Sequence, residues 1–177
     1  MSSFSFFLED LRQVVEEEKN RTGEDENSLF ENKSGRECTN YDMFISYSYR
    51  DDKIIPLALY LLLKKSGCNP YLPKFFSRKK GRNPTKTDIE ITKFALLASR
   101  SLVLANGPET TRSQWIPWEI GFMAGKTGKV CVFDAEHPEN APKNSEFLNL
   151  YPKLNSQKSR LLVGNNLQIM DWINEVP

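Results

Sequence analysis

The stretch Ser113-Gln114-Trp115-Ile116-Pro117-Trp118-Glu119-Ile120-Gly121 holds the residues best suited to chemistry. Pro117 lacks a backbone N–H and has a fixed φ, so it suits the first turn of a helix. Ser113, just upstream, suits an N-cap or a turn. This spacing predicts Glu119 in the first helical turn, where the helix dipole favours a carboxylate and tends to keep it ionised. Trp115 and Trp118 flank it. A carboxylate beside large aromatic faces can receive a flat, positively charged ring. The same residue types also suit an ordinary helix start with its tryptophans in a core. Where the stretch sits in the chain decides between the two.

Competing chemistries find less support. Serine or cysteine hydrolysis wants a histidine, and the single one, His137, lies in a Pro-rich loop. Cys38, Cys68 and Cys131 form no CxxC pair and no Cys/His cluster, so no metal site is expected. Cys131 lies mid-strand and reads as core. No GxxxxGK[ST] phosphate loop occurs, and Gly121, Gly125 and Gly128 are spaced for helix packing and a helix end. The net charge of +1 gives no global drive toward nucleic acid or an acidic membrane. The longest apolar run, Ile54 to Leu63, is about half of what a membrane span needs. The N-terminus lacks the features of a signal peptide, and an odd cysteine count fits a reducing compartment, so a soluble cytoplasmic protein is expected.

The elements that must position Glu119 follow in chain order. With 177 residues, 39% hydrophobic and 27% charged, the chain can build one domain with a real core. Phe4 to Lys19 reads as an amphipathic helix, with Phe4, Phe7, Leu8, Leu11, Val14 and Val15 at helical spacing. Residues 20 to 40 are polar and read as a linker. Tyr41 to Ser46 is a short apolar strand. Asp51-Asp52 can cap a helix that runs to about Ser66 and ends at Gly67. Asn69 to Leu72 is a second strand. Pro73 to Lys86 is a basic loop carrying Lys74, Arg78, Lys79, Lys80, Arg82 and Lys86 with no acidic residue. Such a run attracts phosphates or an acidic surface, or is simply solvated. Thr87 can cap a helix to about Ser99, with Ile89, Ile91, Phe94, Ala95 and Leu97 on its apolar side. Ser101 to Ala105 and Lys129 to Asp134 read as strands buried on both faces. Between them, after the turn Asn106-Gly107-Pro108, lies the Trp115 helix, running to about Gly125. A short helix near Glu146 to Leu150, a last strand Arg160 to Val163 and a last helix Leu167 to Val176 complete the chain.

This alternation predicts an α/β fold: a five-stranded parallel, flavodoxin-like sheet with helices on both faces, plus an N-terminal helix. Ligands in such sheets bind beyond the carboxyl ends of the strands, near the switch in strand order. Ser46 to Asp51, the basic loop, Asn106 to Arg112 and the start of the Trp115 helix all fall there. That coincidence favours the site reading of Glu119.

Two boxes carry a resemblance. Tyr41-Asp42-Met43-Phe44-Ile45-Ser46-Tyr47-Ser48 resembles the opening strand of the TIR (Toll/interleukin-1 receptor) domain family, which reads Asp, apolar, Phe, Ile, Ser, Tyr. Ser113-x-Trp115-x-x-x-Glu119 resembles the family's second box, with Ile116 where many members have Cys. The variant looks more like stand-alone microbial TIR proteins than receptor tails. The likeness divides the chain into residues 1–39, an N-terminal helix and linker, and 40–177, a TIR domain.

The resemblance implies that Glu119 is catalytic and Trp115 lines a nicotinamide pocket. It implies that Ser46, Tyr47, Arg50 and Ser113 border the nucleotide. The loop with Lys74, Arg78, Lys79, Lys80 and Arg82 would be the family's BB-type loop, which joins subunits. Enzymatic members cleave NAD+ at the nicotinamide–ribose bond, as a defence or signalling enzyme whose product a downstream effector would sense. NAD+ would be a substrate, with no permanently bound cofactor, and the protein a homo-oligomer with no nucleic-acid or membrane partner. Adaptor members use the fold only for TIR–TIR assembly, and that alternative stands. A third is a flavodoxin-like nucleoside deoxyribosyltransferase, which also uses a Glu, but the Ser-x-Trp box favours TIR.

One carboxylate is enough for NAD+ cleavage. Glycosidases need a second to protonate a poor leaving group. The pyridinium of NAD+ already carries its positive charge and leaves as neutral nicotinamide. Glu119 can then stabilise the oxocarbenium-like transition state while Trp115 stacks on the departing ring. Arg50 or a basic residue of 74 to 86 can meet the pyrophosphate.

Overall fold

The uncharged runs at Leu102–Ala105 and Val130–Phe133 become two adjacent strands of a parallel sheet, buried on both faces. The computed structural model describes residues 6–35, 39–74, 85–136, 146–157 and 160–175. Four strands form the heart of the sheet: β2 (Tyr41–Tyr47), β3 (Pro70–Tyr71), β4 (Ser99–Asn106) and β5 (Val130–Glu136), in the order β5-β4-β2-β3 and all parallel. This is the flavodoxin-like winding. A two-residue segment, β1 (Phe6–Phe7), runs parallel along the outer edge of β5.

Strand parity sorts the core into two layers. Met43, Ile45, Val103, Ala105, Cys131 and Phe133 face α3 (Ile54–Lys65), α1 (Leu8–Thr22), α2 (Glu26–Lys33) and α6 (Ile169–Asn174). Phe44, Leu102, Leu104, Val130 and Val132 face α4 (Lys86–Ala98) and α5 (Trp115–Thr127). Ser46 shares the parity of Phe44, which puts it on the α5 side.

The expected fifth parallel strand is absent from this sheet. Arg160–Val163 (β7) instead pairs antiparallel with β6 (Leu154–Gln157) and β8 (Leu167–Gln168) in a small separate sheet. The reason is the turn Gly164-Asn165-Asn166, where Gly164 and Asn166 adopt φ of 56° and 70°. These left-handed residues reverse the chain at once. Consequently the last helix starts at Ile169, after β8, and not at Leu167.

Other boundaries also shift. The first helix starts at Leu8, after the extended Phe6–Phe7, and runs on to Thr22. The linker region contains α2, capped by Asp25, whose Oδ1 accepts the Ser28 N–H at 2.9 Å. Helix α4 is capped by Thr85, not Thr87: Thr85 and Asp88 form a capping box, each holding the other's backbone N–H. Its expected apolar side is largely outward. Ile89, Ile91, Phe94 and Leu97 are 39% to 59% exposed, while Ala95 and Leu96 bury. Arg78, Lys79, Lys80, Arg82 and His137 lie outside the described residues.

Helices α1 and α2 are joined by an ion triad. Glu18 pairs with Arg21 at 2.8 Å and with Lys33 at 3.1 Å, and the Glu18 side chain is only 11% exposed. Arg21's hydrogen bond, helped by Lys33 and opposed by burial, holds the Glu18 carboxyl down to about 2. A folded pKa below the unfolded value of 4.5 stabilises the protein above that pH and is lost as pH falls toward 2. Glu18→Gln is therefore expected to lower stability by about 1–2 kcal/mol at pH 7, after discounting for solvent screening. Urea denaturation at pH 7 and pH 3 checks this, since the gap should shrink at the lower pH.

Candidate active site

Glu119 is the fifth residue of α5, so it stands in the second turn and not the first. Its dipole stabilisation is correspondingly weak, and a side chain holds it instead. Ser46 Oγ donates to Glu119 Oε2 at 2.5 Å, across 73 residues of sequence. Ser46 is fully buried and Glu119 is 8% exposed. The bond joins the carboxyl end of β2, a central strand, to α5. Strands β2 and β4 are the neighbours between which the winding reverses, so the carboxylate sits at the switch point where ligands bind in such sheets.

Ser113 closes the start of this helix. Gln114 is the N-cap residue by backbone position and offers no side-chain bond. Ser113 Oγ accepts from the N–H groups of Trp115 and Ile116 at 3.3 and 3.4 Å. It thus does the capping from one residue upstream. Trp115 and Glu119 stand four residues apart and share one helix face. Trp115 meets Trp118 edge to face at 5.7 Å, and Trp118 meets Phe122 at 6.1 Å, so a ladder of rings runs along α5. Trp115 is half-buried beside the carboxylate's turn, and Trp118 is more exposed.

The other expected residues are placed differently from one another. Tyr47 turns to the opposite sheet face, where its ring meets Phe30 edge-on at 6.3 Å. Its hydroxyl donates to the Pro73 carbonyl at 2.8 Å, so Tyr47 holds the entry of the basic loop. Arg50 is exposed; its Nε donates to the Tyr49 hydroxyl at 3.2 Å and its guanidinium lies 5.6 Å over that ring. Lys74 lies against Gly35 and lines a groove of about 630 Å³ with Tyr41, Tyr71, Glu90, Ile91 and Phe94. Ser46, Ser113, Trp115 and Glu119 are thus brought together around the start of α5. Tyr47 and Lys74 belong to the loop's entry.

Several contacts beside the site escaped the residue-type reading. Asp51 Oδ1 accepts the Glu109 N–H at 2.8 Å. Burial pushes the Asp51 carboxyl up to about 6; repulsion from Glu109 and Asp52 adds to this, and the Glu109 N–H and the Thr110 hydroxyl oppose it. Asp52, paired with Arg12 at 3.2 Å, accepts the Ile54 N–H and starts α3. Asn106 Nδ2 donates to Asp134 Oδ1 at 2.7 Å, and Lys153 lies 2.7 Å from Asp134 Oδ2. Only the turn signal Asn106-Gly107-Pro108 hinted at this junction. At the far end of α5, Lys126 Nζ donates to the carbonyls of Leu96, Leu97 and Ser99 at 3.1, 2.6 and 2.5 Å, closing the end of α4.

Cys68 and Cys131 are both buried, and burial pushes the Cys68 thiol up to about 12 and the Cys131 thiol higher still. Neither has the lowered pKa of a nucleophile. Among the described residues no three His, Cys, Asp or Glu gather as a metal site would require, and no helix is long and apolar enough to cross a membrane. No family model matches the chain. Over 137 residues, which cover 76% of this chain and 68% of the relative, the protein is 27% identical to the "Probable 3' cyclic ADP-D-ribose synthase ThsB'" of Bacillus cereus (strain MSX-D12).

Proposed function

We propose that the protein is a TIR-domain enzyme that cleaves the nicotinamide–ribose bond of NAD+, releasing nicotinamide and an ADP-ribose product. The observation that carries this reading is the buried carboxylate of Glu119, held by Ser46 at the switch point one helical turn from Trp115. The similarity to a protein named as a cyclic ADP-ribose synthase supports it, as do the two sequence boxes.

In this reading Trp115 receives the flat pyridinium, and Glu119 faces the ribose as positive charge develops on it. The C–N bond breaks with its electron pair going to the ring nitrogen, which becomes neutral, so no proton donor is needed. The carboxylate stabilises the oxocarbenium-like centre. Water attacks to give ADP-ribose and a proton. Alternatively a nucleophile of the same molecule attacks and closes a ring, the outcome that the relative's name favours. Arg50, exposed at the loop after β2, meets the pyrophosphate. Residues 40–177 form the catalytic unit and residues 1–39 an accessory segment, with NAD+ as substrate, no resident cofactor and a role in anti-phage defence signalling.

A second reading is a non-catalytic assembly module. The outward Ile89, Phe94 and Leu97 of α4 favour it, because such rows usually meet another surface. Both readings allow homo-oligomers. Purified protein incubated with NAD+ at low and high concentration, beside Glu119→Ala, decides between them by liquid chromatography and mass spectrometry. Nicotinamide that appears with wild type, rises steeply with protein concentration and vanishes in the variant supports the enzyme. NAD+ left intact at every concentration supports the module.

A further inference from the structure

The loops that follow β2 and β4 flank the Ser46–Glu119 pair, and one carboxyl group joins them. Asp51 stands in the first loop and accepts the Glu109 N–H of the second at 2.8 Å. The first loop is itself folded: the Asp51 N–H donates to the Ser48 carbonyl at 3.0 Å, and Ser48 Oγ accepts the Arg50 N–H at 3.3 Å. On the second loop the Gly107 N–H donates to Thr110 Oγ1 at 2.9 Å. The fit between the two is tight. A Cβ on Gly107 would stand 2.5 to 2.8 Å from the Asp51 carboxyl atoms, closer than any real contact. The charged neighbours are Arg50 and Asp52 on the first loop, Glu109 with its partner Arg112 on the second, and Arg12 of α1 through Asp52.

We propose that Asp51 is a positioning residue for the cleavage reaction: by holding the two loops together it sets the width of the cleft around Glu119 and Trp115, without touching the substrate. The inference rests on the NAD+-cleaving reading. The acceptor oxygen does the work, so the amide of Asn can replace the carboxylate. Ala loses the bond, and Gly107→Ala pushes the same contact apart from the other side.

The test uses the full chain and two readouts, steady-state nicotinamide release from NAD+ and hydrogen–deuterium exchange of residues 107–114. Asp51→Ala is expected to lower kcat about 30-fold with KM changed less than about threefold, and to speed exchange in that segment. Asp51→Asn should stay within about threefold of wild type and keep its exchange protection. Gly107→Ala should resemble Asp51→Ala, and it carries the test should Asp51→Ala fail to fold. Wild-type kcat or unchanged exchange in Asp51→Ala overturns the proposal, and so does an Asn variant as damaged as the Ala one. A wild type that releases no nicotinamide, while Asp51→Ala still speeds exchange, overturns the parent reading and the positioning role with it. An active wild type matched by Asp51→Ala overturns the positioning role alone.

Discussion

Replacing Glu119 with Gln is expected to lower nicotinamide release from NAD+ by about 10³-fold or more, with little change in fold stability. The substitution keeps the side chain's volume and an oxygen that can accept from Ser46 Oγ, so packing at the 8% exposed position survives. Under the proposed reaction, what disappears is the negative charge that would face the developing oxocarbenium centre. At so buried a position that charge is worth far more than at a surface. Because the pyridinium leaves without a proton, no other group in the mechanism can substitute for it. Single-turnover release of nicotinamide, measured beside a urea unfolding curve, separates the two effects. A variant within tenfold of wild type would show that Glu119 is a structural partner of Ser46 and nothing more.

Phe30→Ala is expected to destabilise the protein by about 3–4 kcal/mol, the cost of removing a fully buried aromatic ring from a packed core. Phe30 anchors α2 to the main layer. Its ring meets Tyr47 at 6.3 Å and lies 5.8 Å beneath the Lys53 ammonium. Tyr47 in turn holds Pro73 at the entry of the basic loop. The loss therefore reaches from α2 to the residue that opens the basic loop. A shift of the urea midpoint worth less than about 1 kcal/mol would show that α2 is peripheral to the fold.

The parallel core was legible because Leu102–Ala105 and Val130–Phe133 are apolar without interruption, the pattern of strands buried on both faces. Glu119 and Ser46 were legible as members of two boxes, but their bond was not, since nothing local links residues 73 apart. Helix α2 was missed for a physical reason. Its eight residues bury only Leu29 and Phe30, a pair too short to show a period. Arg160–Val163 is apolar like a core strand, and only its following turn sends it into an antiparallel sheet. The outward side chains of α4 show the opposite limit, because a helical pattern says which residues share a face and not whether that face is covered. The Asp51–Glu109 bond is a pairing of side chain with backbone, for which residue types carry no signal.

Lys126 and Ser46 fasten α5 at two points, one to the end of α4 and one to β2. A helix held at both places cannot pivot without breaking a buried hydrogen bond and opening three carbonyls. The acid it carries is then a fixed post, already set before substrate arrives. Under the proposed reaction, self-association has nothing to gain by tuning Glu119. It can act only on the loops around that post, by changing how often the cleft is complete and accessible. Crowding the protein should accordingly raise nicotinamide release and leave the hydrogen–deuterium exchange of α5 almost unchanged.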